Sequence, residues 1–178
     1  LVGVLTIVAH FLIGPVTLLQ RYVESGDVDG AKELIDMVKF PNLLLKPIRS
    51  AYYMLKANFS TMSDDLDGAE AELKKSLASG VADKDYQGTA YLQLGTIAHR
   101  KGNTKEAYEH LKKAVSIGLP DGDSIATAYL QLCSISMQRR DFRGSKMFFS
   151  KAQAAKPKNA QIIDQIAEMK KYIARIPG

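Results

Sequence analysis

The chain has 178 residues, 46% of them hydrophobic, which is enough apolar material for a buried core and excludes a disordered segment. Its lone Cys133 excludes a disulfide framework, and 13 glycines with 6 prolines exclude a fibrous or low-complexity chain. The net charge of +5 is uneven: residues 139–178 hold ten Lys/Arg against Asp141, Asp164 and Glu168, a local +7 that leaves −2 elsewhere. This basic end lacks an arginine-rich run or stacked aromatics, so it reads as solvated helix faces and nucleic acid is not expected as a partner.

In chain order, the first predicted element is an apolar helix over residues 1–14. Residues 1–19, LVGVLTIVAHFLIGPVTLL, carry no formal charge apart from a possible one on His10. At about 1.5 Å per residue they reach roughly 28 Å, close to a bilayer's hydrocarbon thickness. Gly14-Pro15 kinks or ends the helix, because proline removes an amide donor and clashes with the preceding turn. The favoured reading is a membrane anchor whose start lies upstream of Leu1. A buried helix packed on the first repeat is the alternative, and a secretory signal peptide is disfavoured because no A-x-A pattern follows. The flank QRYVESGDVD sets Arg21 against Glu24, Asp27 and Asp29. This acidity favours placing the remainder outside the cytoplasm; the expected location is a bacterial inner membrane with the repeats facing the periplasm, the cytoplasmic side being the alternative.

From there a period of 38 residues governs the chain. TAYLQL occurs at 89–94 and again at 127–132, and small residues recur at Ala31, Ala69, Ala107 and Ser145. Polar turns precede them at Asp27, Asp65, Asn103 and Asp141, residue types that cap a helix start; Asn103 with Glu106 is expected to form a capping box. Ile35, Leu73, Leu111 and Phe149 follow each small residue by four positions, then Val38, Ser76, Ala114 and Ala152 by three more, which keeps each set on one helix face. In the preceding helices, Tyr52, Leu55 and Phe59 match Tyr91, Leu94 and Ala98 only with a shift of 39, which places one extra residue in the turn near Ser63. Such hairpins cannot bury their stripes alone, so the units stack and an end cap is required. Residues 159–178 supply it, with Ile162, Ile163, Ile166, Met169 and Ile173 as the apolar stripe.

Residues 88–120 resemble the tetratricopeptide repeat: Tyr91, Leu94-Gly95, the turn Gly102-Asn103, then Ala107, Leu111, Ala114 and Pro120. The unit 126–158 keeps Tyr129, Leu132, Ala152 and Pro157 but has Cys133 and Ser145 at the usual Gly and Ala. The unit 50–82 is weaker, with Lys56 where glycine is expected, and 12–44 is degenerate. The resemblance implies an all-α, right-handed superhelix of four helix-turn-helix units over residues 15–158 with a C-terminal capping helix. The four residues beyond the family's usual repeat length fall between hairpins, in longer helices or connections; a Sel1-type repeat is a minor alternative.

No catalytic or metal-binding pattern accompanies the repeat. His10, His99 and His110 are scattered, and Cys133 occupies a close-packing column where an inert thiol is expected. The acidic turns at 25–36 and 63–74 imitate calcium loops but have serine at the first position and lack the closing glutamate. Asn58-Phe59-Ser60 matches a glycosylation triplet inside a predicted helix and is discounted.

The resemblance further implies a concave groove lined by first helices that binds other proteins. The matching positions are Tyr53, Leu92, Gln93, Thr96, His99, Leu130, Gln131, Ser134 and Met137, part of them expected in the core. The positions of the family's chaperone carboxylate clamp correspond to Tyr53, Ala57, Gln93, Thr127 and Gln131, none cationic, so no terminal carboxylate is expected there. The expectation is thus a membrane-anchored interaction scaffold that recruits or assembles a protein complex, with membrane contact through residues 1–19, no cofactor, no small-molecule substrate and no catalysis. The alternative is a structural subunit buried permanently in a larger membrane complex.

Overall fold

The computed structural model describes residues 28–80 and 82–176. The expected apolar helix 1–14, the anchor 1–19 and the first helix of the earliest repeat lie outside the described residues. Every regular element among the described residues is helical, and no described helix is long and apolar enough to cross a membrane.

The chain divides into two compact units, residues 1–81 and 82–178. The first contains α1 (Val28–Asp36), a 3-10 turn (Pro41–Leu43), α2 (Lys46–Met62) and α3 (Leu66–Ala78). The second contains α4 (Lys84–Arg100), α5 (Thr104–Ile117), α6 (Gly122–Gln138), α7 (Phe142–Ala154) and α8 (Ala160–Ile173). Within the units α2 pairs with α3, α4 with α5 and α6 with α7 as antiparallel hairpins, and α8 packs on α6 and α7.

The helix boundaries keep the 38-residue period without a break. First helices start at 46, 84 and 122, and second helices at 28, 66, 104 and 142. The expected insertion near Ser63 is absent. In the true register the counterparts of Tyr91, Leu94, Gly95 and Ala98 are Tyr53, Lys56, Ala57 and Ser60, so Ala57, fully buried, takes the close-packing place assigned to Lys56. A shift of 39 matches large apolar residues of the two helices, whereas the small residue that sets helix approach keeps the shift of 38.

The four residues that lengthen each repeat form one additional turn of the first helix. The units expected from residues 50, 88 and 126 begin instead at 46, 84 and 122, giving first helices of 17 residues. Capping fixes these starts. Asp83 Oδ1 accepts from the Tyr86 amide at 3.0 Å and Asp121 Oδ1 from the Ser124 amide at 2.7 Å, while Pro47 opens α2 where its missing N–H costs nothing.

Each hairpin turn is the same Schellman motif. The residues Asp64, Gly102 and Arg140 adopt φ of 62°, 79° and 58°. The following amide reaches back to the first helix: Asp65 N to Ser60 O (2.8 Å), Asn103 N to Ala98 O (2.8 Å) and Asp141 N to Ser136 O (2.9 Å). Asp65 and Asp141 then cap the second helix through Gly68 N (2.9 Å) and Gly144 N (2.8 Å). Asn103 makes no side-chain cap, and the expected capping box does not form. Its amide is already committed to Ala98, and Glu106 lies 3.4 Å from His110 Nε2 instead. A second column of positive φ closes the hairpins at Gly80 (74°), Gly118 (120°) and Lys156 (50°).

The core follows the predicted columns. Ala69, Ala107 and Ser145 are fully buried beside Leu73, Leu111 and Phe149. In unit 1 the small pair Gly88/Ala114 is replaced by Ser50 and Ser76, buried and satisfying one another: the Ser76 hydroxyl donates to Ser50 O at 2.9 Å, and the two hydroxyl oxygens are 2.8 Å apart. Helix α8 begins one period after α6 and stands where the first helix of a further repeat would. Ile166, Met169 and Ile173 pack on the core of unit 2, whereas Ile163 is exposed, a correction to the predicted stripe, because it lies about 100° around the helix from Ile162. At the register of Leu130, Leu132 and Cys133, α8 carries Glu168, Lys170 and Lys171, with a 2.6 Å ion pair between Lys171 and Glu168. Charged side chains thus stand on α8 at the positions that α6 fills with Leu130, Leu132 and Cys133.

Candidate protein-binding face

The candidate face is built mainly on α4 and α6, adjacent first helices of unit 2. Their periodicity places equivalent residues side by side: Leu92 with Leu130, Gln93 with Gln131, Thr96 with Ser134, His99 with Met137. Leu92 and Leu130 are buried and Met137 packs against the core, so these three support the face rather than present it. Gln93, Thr96, His99, Gln131 and Ser134 are half-exposed. The Thr96 hydroxyl donates to Leu92 O at 3.0 Å and accepts from Gln131 Nε2 at 2.9 Å, which ties α4 to α6 and fixes the Gln131 amide. The surface offers uncharged donors and acceptors at helical spacing, held by a rigid apolar floor.

Tyr53, in unit 1, does not fall in this column. In the 38-residue register it is the counterpart of Tyr91 and Tyr129, and Met54 is the counterpart of Leu92. Tyr53, Tyr91 and Tyr129 share a different feature that sequence reading missed. Lys75, Lys113 and Lys151, also 38 apart, hold their ammonium groups 5.7, 4.3 and 5.4 Å from the respective ring centroids. Each hairpin thus carries a cation–π contact from its second helix to its first, contributing about 0.5–1 kcal/mol at a partly exposed site. Two 38-spaced columns, one aromatic and one lysine, were the available signal.

The groups with potential chemistry are engaged structurally. His110 stacks on Tyr91 at 5.9 Å, and burial pushes the Cys133 thiol up to about 11, leaving it protonated at neutral pH. Burial, reinforced by the Glu72 carboxylate, also raises the Tyr52 phenol above its ordinary value. Two open clefts lie among the described residues, one of about 330 Å³ beside Lys32, Asp36 and Lys56 and one of about 530 Å³ beside Tyr91, Glu109 and His110. No cluster of three His, Cys, Asp or Glu among the described residues is placed to hold a metal. The calcium-like segments are helical from Val28 and from Leu66, with Asp65 spent as a cap, and Asn58 lies within α2.

Among the described residues the geometry defines repeated helical hairpins. Residues 88–117 match the tetratricopeptide repeat, and the match begins one helical turn after α4 does. No curated protein matches the chain. A repeat of this type marks a scaffold for protein–protein interaction.

Proposed function

We propose that the chain is a non-enzymatic scaffold, anchored in a bacterial inner membrane with its repeats facing the periplasm, that recruits or assembles a protein complex. The observation that carries the binding half is the ordered, uncharged row Gln93, Thr96, Gln131 and Ser134 on adjacent first helices. Such a row recognises the backbone and neutral side chains of an extended or helical segment, and supplies no charge-assisted bond to a terminal carboxylate. Anchoring is supported by the uncharged stretch 1–19.

Two measurements test the reading. A photo-crosslinking side chain at Ser134 is expected to join a discrete partner in membranes, while the same group at exposed Ser150 on α7 is not; equal labelling from both positions would sink the first-helix assignment. Calorimetric titration with acidic peptides ending in a free carboxylate is expected to show no micromolar binding. Micromolar binding lost on Gln131→Ala would overturn the exclusion of a carboxylate clamp.

A further inference from the structure

We infer that the loop Met37–Leu45 is a second lipid contact, an apolar tip that inserts into the headgroup boundary of an anionic bilayer. Four large side chains stand out from it: Met37, Phe40, Leu43 and Leu45 are 65%, 70%, 67% and 65% exposed. The display is built. Leu44, between two of them, is 3% exposed and pins the loop to the core of unit 1 beside Ile35, Tyr52 and Tyr53. The backbone is fixed by Leu43 N to Phe40 O (3.0 Å) and Leu44 N to Pro41 O (3.1 Å), and Arg49 Nη2 donates to Leu44 O at 2.9 Å.

Charge selects the occupant. Residues 37–49 contain Lys39, Lys46 and Arg49 and no carboxylate, Asp36 being the acid next to them in the chain; the exposed Lys39 stands between Met37 and Phe40, and the exposed Lys46 follows Leu45. Lysines inside an apolar patch are disfavoured at the core of a protein interface but snorkel readily to lipid phosphates. The inference rests on the membrane association proposed above and adds a site that would set the orientation of unit 1 at the surface.

The chain has no tryptophan, so a single one is a clean probe. Full-length Leu43→Trp protein is reconstituted into phosphatidylcholine vesicles containing about a third phosphatidylglycerol, with and without brominated acyl chains. Emission is expected to shift to the blue and fall about twofold with bromine, and Lys39→Glu/Lys46→Glu in the same protein to remove most of that quenching. A Met147→Trp protein, probing α7, is expected to be unaffected. Vesicle-bound protein whose Leu43→Trp probe is not quenched overturns the inference alone; so does a blue shift that appears with rising protein concentration without lipid, which identifies a second copy as the occupant. Protein that fails to float with vesicles overturns the membrane association itself.

Discussion

Gly88 tests how hairpin α4/α5 is held. A Cβ built on Gly88 would lie 1.7 Å from the carbonyl oxygen of Gly118 and 3.0 Å from its carbon, so the obstacle is backbone and cannot rotate away. The neighbouring hairpins carry side chains at this position, Ser50 and Ala126. The difference lies opposite, where Gly118 has φ 120° and ψ 155°, open essentially to glycine alone, while Gly80 and Lys156 sit at 74° and 50°. Gly88→Ala should therefore gain about 1 kcal/mol of helix propensity and lose about 2–3 kcal/mol to overpacking, a net destabilisation of about 1–2 kcal/mol. For a unit of this size that lowers Tm by about 5–15 °C. Gly118→Asn, which favours the left-handed turn of the other hairpins, should partly rescue it, so the double variant is more stable than additivity allows. Urea and thermal melts followed by circular dichroism measure both terms. Gly88→Ala at or above wild-type stability, or strict additivity with Gly118→Asn, would refute the account.

Arg140→Gly is expected to raise stability by about 0.5–1 kcal/mol in urea melts, because Arg140 holds the left-handed conformation that Gly102 holds in the preceding hairpin. Cys133, with its thiol pushed up to about 11, should resist alkylation near neutral pH in the native state and react on unfolding. The unfolded thiol loses its proton first as pH rises, so stability should fall between about pH 9 and 11, by up to roughly 1.4 kcal/mol per pH unit from this group, and the slope should flatten in Cys133→Ala. Ile166→Asp, which puts a carboxylate among the core contacts of α8, should cost about 2–4 kcal/mol and expose the end of unit 2, measurable as earlier proteolysis of the C-terminal helix. Ser76→Ala should cost about 1 kcal/mol, whereas Ser50→Ala with Ser76→Ala, which removes both hydroxyls as in the Ala126/Ala152 pair, should be nearly neutral on the same scale.

The punctuation of this chain was legible in its sequence because it is local. Asp65 and Asp141 cap helices through amides three residues away, and the columns headed by Ala69, Ala107 and Ser145 become the core because spacings of three and four fall on one helix face. What lay beyond one helix was decided in the folded units. Asn103 could not form its capping box once Ala98 took its amide, and Ala57, not Lys56, proved to be the point of close approach between α2 and α3. Of the face residues, Thr96 and Gln131 were placed in contact by the packing of α4 on α6, Leu92 and Leu130 were drawn into the floor, and Tyr53 was reassigned to the lysine-covered column. In the loop, alternate fates for Leu43, Leu44 and Leu45 have no periodic signature, since a core neighbour is available to only one of them. Sequence fixes which groups a helix can satisfy by itself; burial depends on which other helix arrives.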